Sequence, residues 1–194
     1  MKKITLIALT ALMFSCGDED TLPKPKALLR LEYPAPEYKE VNLGVPFVFE
    51  RNIFAKPITN IKVNTKTGVH GINIEYPNLK GTIYLTYKPV NGNLKDHLRD
   101  AQNLTQKHTV KADEIVEQIY ANEKEDVYGM FYEVGGNAAS QSQFYVTDSI
   151  NHFVNGSLYF YTKPNYDSIY PAAHYLKNDI KQIMESLKWK SIEK

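Results

Sequence analysis

Residues 81–87 read GTIYLTY, which sets Ile83, Leu85 and Tyr87 on one side of an extended chain and Tyr84 and Thr86 on the other. Successive side chains of a strand point to opposite faces, so this spacing makes one buried face and one half-wet face. The period returns in 45–51, with Val45, Phe47 and Phe49 in phase, and in 71–76, with Ile72, Ile74 and Tyr76 in phase. Residues 58–63, 127–134, 143–147 and 152–162 repeat it, while 28–33 (Leu28, Leu29, Leu31, Tyr33) lead in and stop at Pro34 and Pro36. Gly, Pro, Asn or Asp bounds these runs, as turn chemistry requires. Residues 115–120 are expected to be strand, with helix as the alternative. The 14 tyrosines, against 8 Phe and 1 Trp, suit faces where a ring packs and its hydroxyl reaches water.

Two segments change period. Asn93 is placed to cap a helix, with Asp96 three residues on, and Leu94, Leu98, Ala101, Leu104 and His108 then make one apolar stripe. Near the end, Ile169, Ala173, Leu176, Ile180, Ile183 and Leu187 recur every three or four residues, with Pro171 expected in the first turn. That stripe must lie on the sheet, and Trp189 is expected to pack under its edge. No alternation of strand and helix argues for parallel pairing. The fold class is therefore α+β: an antiparallel β-sheet covered by at least two helices.

The N-terminus sets the compartment. Met1, Lys2 and Lys3 precede an apolar run over 4–14, ITLIALTALMF, and then come Ser15 and Cys16. Eleven residues suit a signal-peptide core and are too few to span a bilayer as a helix. Cys16 is the only cysteine, so no internal disulfide can form. The arrangement predicts a lipobox: cleavage before Cys16 and acylation of its sulfur and new amine. Acyl burial at about 0.8 kcal/mol per CH2 makes two or three chains a firm anchor. Cleavage takes away Lys2 and Lys3 and no acid, moving the formal net charge from +1 to −1. Such a surface has no electrostatic reason to bind nucleic acid or anionic lipid. Residues 17–26, GDEDTLPKPK, are acidic and proline-bearing and are expected to form a tether of roughly 30 Å, with a sorting signal in the acids after Cys16 as the sharper alternative. The expected organisation is a signal peptide over 1–15, the acylated cysteine and tether over 16–26, and a single α+β domain over 27–190.

Catalytic chemistry is sparse. The histidines His70, His97, His108, His152 and His174 never fall at HxH or HxxxH spacing, so no metal or other cofactor is expected. His97 and His174 lie on helices and are expected at the surface. Gly135 and Gly136 lack a following helix with Lys-Ser or Lys-Thr, so they read as a hairpin turn. No serine stands in a GxSxG elbow. Asp148, Ser149 and His152 are too close in sequence for a triad and are expected to bond within a turn.

Three stretches carry a family resemblance: PKPKALLRLEYP over 23–34, AASQSQFYVTDSINHFVNGSLYFYTKPNYD over 138–167, and DSIYPAAHYLKNDIKQIMESLKW over 167–189. In order and spacing they resemble the gliding-motility lipoproteins called GldD, from Bacteroidota, with a departure at Asn155, where that pattern has a basic residue. The resemblance implies an outer-membrane accessory lipoprotein, lipid-anchored on the periplasmic face. Its role would be the assembly or stability of the gliding and type IX secretion machinery, with other gliding or secretion lipoproteins as partners and no enzymatic activity. By analogy the helix–sheet order is similar to PsbP/Mog1-like domains. Partner contacts are expected at Arg30, Glu32 and Tyr33 near the tether and at Tyr166 and Asp167 in the PNYD loop. The alternative is a glycan- or small-ligand-binding lipoprotein whose tyrosines line a pocket. An enzyme would need a buried, shifted titratable group in a cleft.

Overall fold

The computed structural model describes residues 31–107, 111–162 and 165–190. Ten strands and two α-helices follow in the order β1 (Tyr38–Val41), β2 (Phe47–Asn52), β3 (Ile61–Asn64), β4 (Val69–Tyr76), β5 (Gly81–Pro89), α1 (Leu94–Gln106), β6 (Ala112–Asn122), β7 (Val127–Gly136), β8 (Ser140–Thr147), β9 (His152–Phe160), α2 (Tyr166–Glu185) and β10 (Lys188–Trp189). Seven strands form one antiparallel sheet, ordered β3-β4-β5-β9-β8-β7-β6, and a smaller sheet is ordered β1-β2-β10. The α+β expectation holds, and residues 115–120 are strand.

Register explains which face is which. Ile72 stands opposite Leu85 and Ile74 opposite Ile83; Ile83 in turn faces Leu158, and Tyr87 faces Val154. Phe144 and Val146 continue that face through β8. These side chains are almost wholly buried. They meet the α2 residues Leu176, Ile180, Ile183 and Met184 and the β2 residues Phe47 and Phe49 in one core. Two glycines admit the close approaches. A side chain at Gly81 would strike Leu176 Cδ1, and one at Gly156 would strike the Phe144 ring.

The opposite face carries Thr82, Tyr84, Gln143, Phe153 and Ser157, and α1 covers part of it. His97 packs its ring on Phe153, 5.4 Å between centroids, and meets the Pro89 carbonyl at 3.2 Å. His97 is therefore half-buried rather than the surface residue expected, because α1 rolls that side toward the sheet. Leu94, Leu98, Ala101 and Leu104 are only half-buried, while Thr105 is buried and donates to Gln143 Oε1 at 3.2 Å. Asn93 does start the helix, yet its side chain accepts from the Asn91 amide rather than capping. His108 lies outside the described residues.

Two further corrections concern the last helix and the smaller sheet. Pro171 is not in the first turn of α2 but inside the helix, because the helix begins at Tyr166. The missing N–H removes one i→i−4 bond, and packing of the apolar stripe sustains the helix across it. Asn137, in the turn after β7, supplies the start: its Oδ1 accepts from the Tyr166 amide at 2.9 Å. The run 45–51 does not join the main sheet. β10 returns after α2 and pairs with it, setting Trp189 opposite Phe47. Trp189 then stacks on His152 at 5.0 Å and donates to the Asp126 carbonyl at 3.0 Å, as its expected place at the sheet edge requires.

Candidate functional site

The outer face of α2 builds a groove. Tyr166, Tyr170 and His174 stand four residues apart and so share one side of the helix. Their rings form a ladder, Tyr166 to Tyr170 at 5.5 Å and Tyr170 to His174 at 6.1 Å. The segment entering the fold lies alongside. Tyr33 packs on Tyr175 at 5.0 Å, and Leu31, Pro34 and Pro36 make the facing wall. The cleft between them has a volume of about 500 Å³ and contains no carboxylate or ammonium among its walls. Uncharged aromatic and proline walls at the surface are what protein interfaces use for their anchoring contacts.

A buried polar cluster sits behind the groove. Asp179, 1 % exposed, accepts from the Tyr38 hydroxyl at 2.8 Å and from Asn52 Nδ2 at 3.0 and 3.2 Å. Asn52 Nδ2 also meets the Tyr175 hydroxyl at 3.0 Å. Burial pushes the Asp179 carboxyl up, and hydrogen bonds from Tyr38 and Asn52 oppose that rise. Burial, reinforced by the neighbouring Asp179, raises the Tyr38 and Tyr76 hydroxyls well above the ordinary tyrosine range. This is a shifted titratable group near a cleft, but its oxygens point inward to β1 and β2 and do not line the groove. Its geometry fastens Tyr175, and through it Tyr33, rather than presenting a reactive atom.

The sequence-derived candidates divide. Tyr33 is a wall of the groove, and Tyr166 is the first ring of the ladder. Glu32 and Asp167 are exposed. Tyr166 and Asp167 lie in the first turn of α2, not in a loop, because the Asn137 cap starts the helix at Tyr166. Arg30 and Cys16 lie outside the described residues. Tyr170, His174 and Tyr175 were missed, although the i, i+4, i+8 spacing of the ladder was readable beside the apolar stripe. Asp148 behaves as expected for a turn: its Oδ1 accepts from the amides of Ile150, Asn151 and His152 at 2.8 to 3.0 Å. Burial alone would raise that carboxyl, yet the three amides hold it below the usual range.

Among the described residues no three His, Cys, Asp or Glu side chains converge on a metal-sized site, and no helix is long and apolar enough to cross a membrane. Fold and groove thus define an α+β protein with an aromatic groove between its last helix and residues 31–36. The model of the family described as gliding motility lipoprotein GldD matches residues 18–189, and the chain belongs to that family. No curated protein and no solved structure matches. Membership makes the protein a membrane-associated lipoprotein of gliding motility.

Proposed function

We propose that the protein is an accessory factor of the outer membrane that keeps the gliding and type IX secretion machinery assembled. Cys16 carries the lipid, residues 17–26 are the tether, and residues 27–190 are one domain that presents the groove to another component of the apparatus. The observation that supports this most is the position of the groove. Its Leu31–Pro36 wall is the segment that leads out of the tether, so a partner held there stands close to the membrane. Tyrosines and prolines on a largely uncharged surface add contact area at small conformational cost.

Deletion of the gene is expected to abolish colony spreading and the release of type IX cargo. Complementation separates the parts. Wild type restores both; Cys16→Ala, which cannot be acylated, restores neither. The double variant Tyr170→Ala/His174→Ala folds and is lipidated, because both side chains lie on the outer face of α2, and it also fails to restore spreading. Normal spreading in the deletion strain would overturn the assembly role. Full rescue by the double variant would remove the groove from it.

A further inference from the structure

The two edges of the seven-stranded sheet are built differently. β3 closes one edge with four residues. β6 closes the other with eleven, and its outer side has no neighbour among the described residues. Eleven extended residues present a ladder of about 35 Å whose outward N–H and C=O groups are open to another strand. Natural edges are usually blunted by charged side chains, lysine above all, by proline or by a bulge, and on β6 only acids play that part. β6 has no Lys, Arg or Pro, and its one register shift lies at its start, between Ala112 and Glu114. Ile119, near its middle, is 84 % exposed, and Val116 is 38 % exposed. On the same face as Ile119, the neighbouring Met130 of β7 is only half-covered, so the apolar row extends inward from the edge.

The charge on this edge selects the occupant. Asp113, Glu114 and Glu117 are its only ionic side chains, and none of them is in an ion pair among the described residues. A second copy fits poorly. Antiparallel self-pairing over the full strand is centred on Glu117, which sets Glu117 against Glu117, and like charges directly opposite destabilise. Pairing of β6 with the β3 edge of another copy would cover only four residues. A strand with lysine or arginine opposite Glu117 and Glu114 meets neither obstacle. Antiparallel pairing sets an apolar residue of such a strand opposite Ile119. A basic one then falls opposite Glu117, apolar ones opposite Val116 and Ile115, and a second basic one opposite Glu114.

We propose that β6 is a strand-addition site that takes an extended basic segment of a partner protein, with the pattern apolar-x-basic-apolar-apolar-basic. The partner becomes an eighth strand of the sheet. Main-chain hydrogen bonds supply affinity, and the charge pattern supplies register and choice. The surface adjoins the groove's ring ladder only at Tyr166, which feels Asp113 and Glu114, and its test does not depend on groove binding.

The test uses the mature lipoprotein in detergent and two blocked, fluorescently labelled peptides, TITKVVKT and its acidic counterpart TITEVVET. Fluorescence anisotropy is expected to show tighter binding of the basic peptide by about tenfold or more, since two opposed pairs change from attractive to repulsive. Hydrogen exchange should slow within residues 112–122 when that peptide is bound. The variant Glu114→Lys/Glu117→Lys should reverse the preference. Ile119→Pro, which removes one edge donor, should weaken the basic peptide, and Tyr170→Ala should leave it unchanged. Melting temperatures close to wild type show that the edge variants fold. Protection outside β6, an unreversed preference in the double variant, or a dimer held through β6 in sedimentation would each overturn the proposal.

Discussion

The two faces of the large sheet are covered by helices of opposite character. α2 lays a continuous stripe of buried side chains on one face, from Ile169 through Leu176 and Ile180 to Met184. α1 buries a single side chain, Thr105, and only half-covers its leucines. Both helices are amphipathic in sequence, so amphipathicity did not set the difference. It arises from what each meets. α2 is gripped between the apolar sheet face and β2, with Asp179 hydrogen-bonded into β1 and β2. α1 lies on a face that is mostly Thr, Ser, Gln and Tyr, with Phe153 as its buried apolar contact. One helix is a structural wall with an aromatic groove along its side, and the other is a partial lid.

The sharpest break of that comparison is a truncation on each helix. Leu176→Ala, at a wholly buried site, is expected to destabilise by about 2–5 kcal/mol. Leu98→Ala, half-buried on α1, should lose about 1 kcal/mol. Denaturant midpoints at constant m-value measure both, and equal losses would sink the contrast. Next in size is Asp179→Ala, which strands the buried donors of Asn52 and Tyr38 and is expected to lose about 1–3 kcal/mol. Asp179→Asn, which keeps the shape and an acceptor, should lose less.

Two carboxylates give the comparison a pH signature of opposite sign. Burial raises Asp179 in the folded protein, so the folded state holds its proton more tightly than the unfolded chain does. Its contribution is fully present below the unfolded carboxylate pKa of about 4 and falls as pH rises through the folded value. Asp148 is depressed by three amides despite its burial, so its contribution is present above about pH 4 and is lost as pH falls through its folded value. Unfolding midpoints of wild type, Asp179→Asn and Asp148→Asn between about pH 3 and pH 7 separate the two. Asp179→Asn should remove a loss of stability on raising the pH, and Asp148→Asn should remove a loss on lowering it. The smallest effect belongs to Lys177→Ala. It breaks a 2.7 Å pair with Glu133 on side chains that are only partly covered, and it should change stability by less than about 1 kcal/mol.

Much of this architecture was legible because burial leaves a period in the sequence. The phases of 45–51, 71–76 and 81–87 named the inward residues of β2, β4 and β5, and the stripe of α2 named its buried face. What lacked a period was missed. The Asn137 cap joins residues 29 positions apart, and the separation of β2 into a second sheet depends on the return of β10 after α2. Pro171 suggested a helix start because proline is tolerated there; packing of the flanking turns carried the helix through it. Of the groove, Tyr33 and Tyr166 were anticipated from positions near the tether and in the PNYD segment. The ladder that joins Tyr166 to His174, and the contact of Tyr33 with Tyr175, were not.

The sequence by itself determined the class of fold and the buried side of β2, β4, β5 and α2, because alternation and 3.6-residue spacing follow from backbone geometry alone. It also pointed to the family, through ordered motifs along the chain. Tertiary structure decided which strand closes each edge of the sheet, where a groove formed and what surrounds Asp179. Those properties depend on which distant segments meet, and no local pattern of residues encodes that meeting.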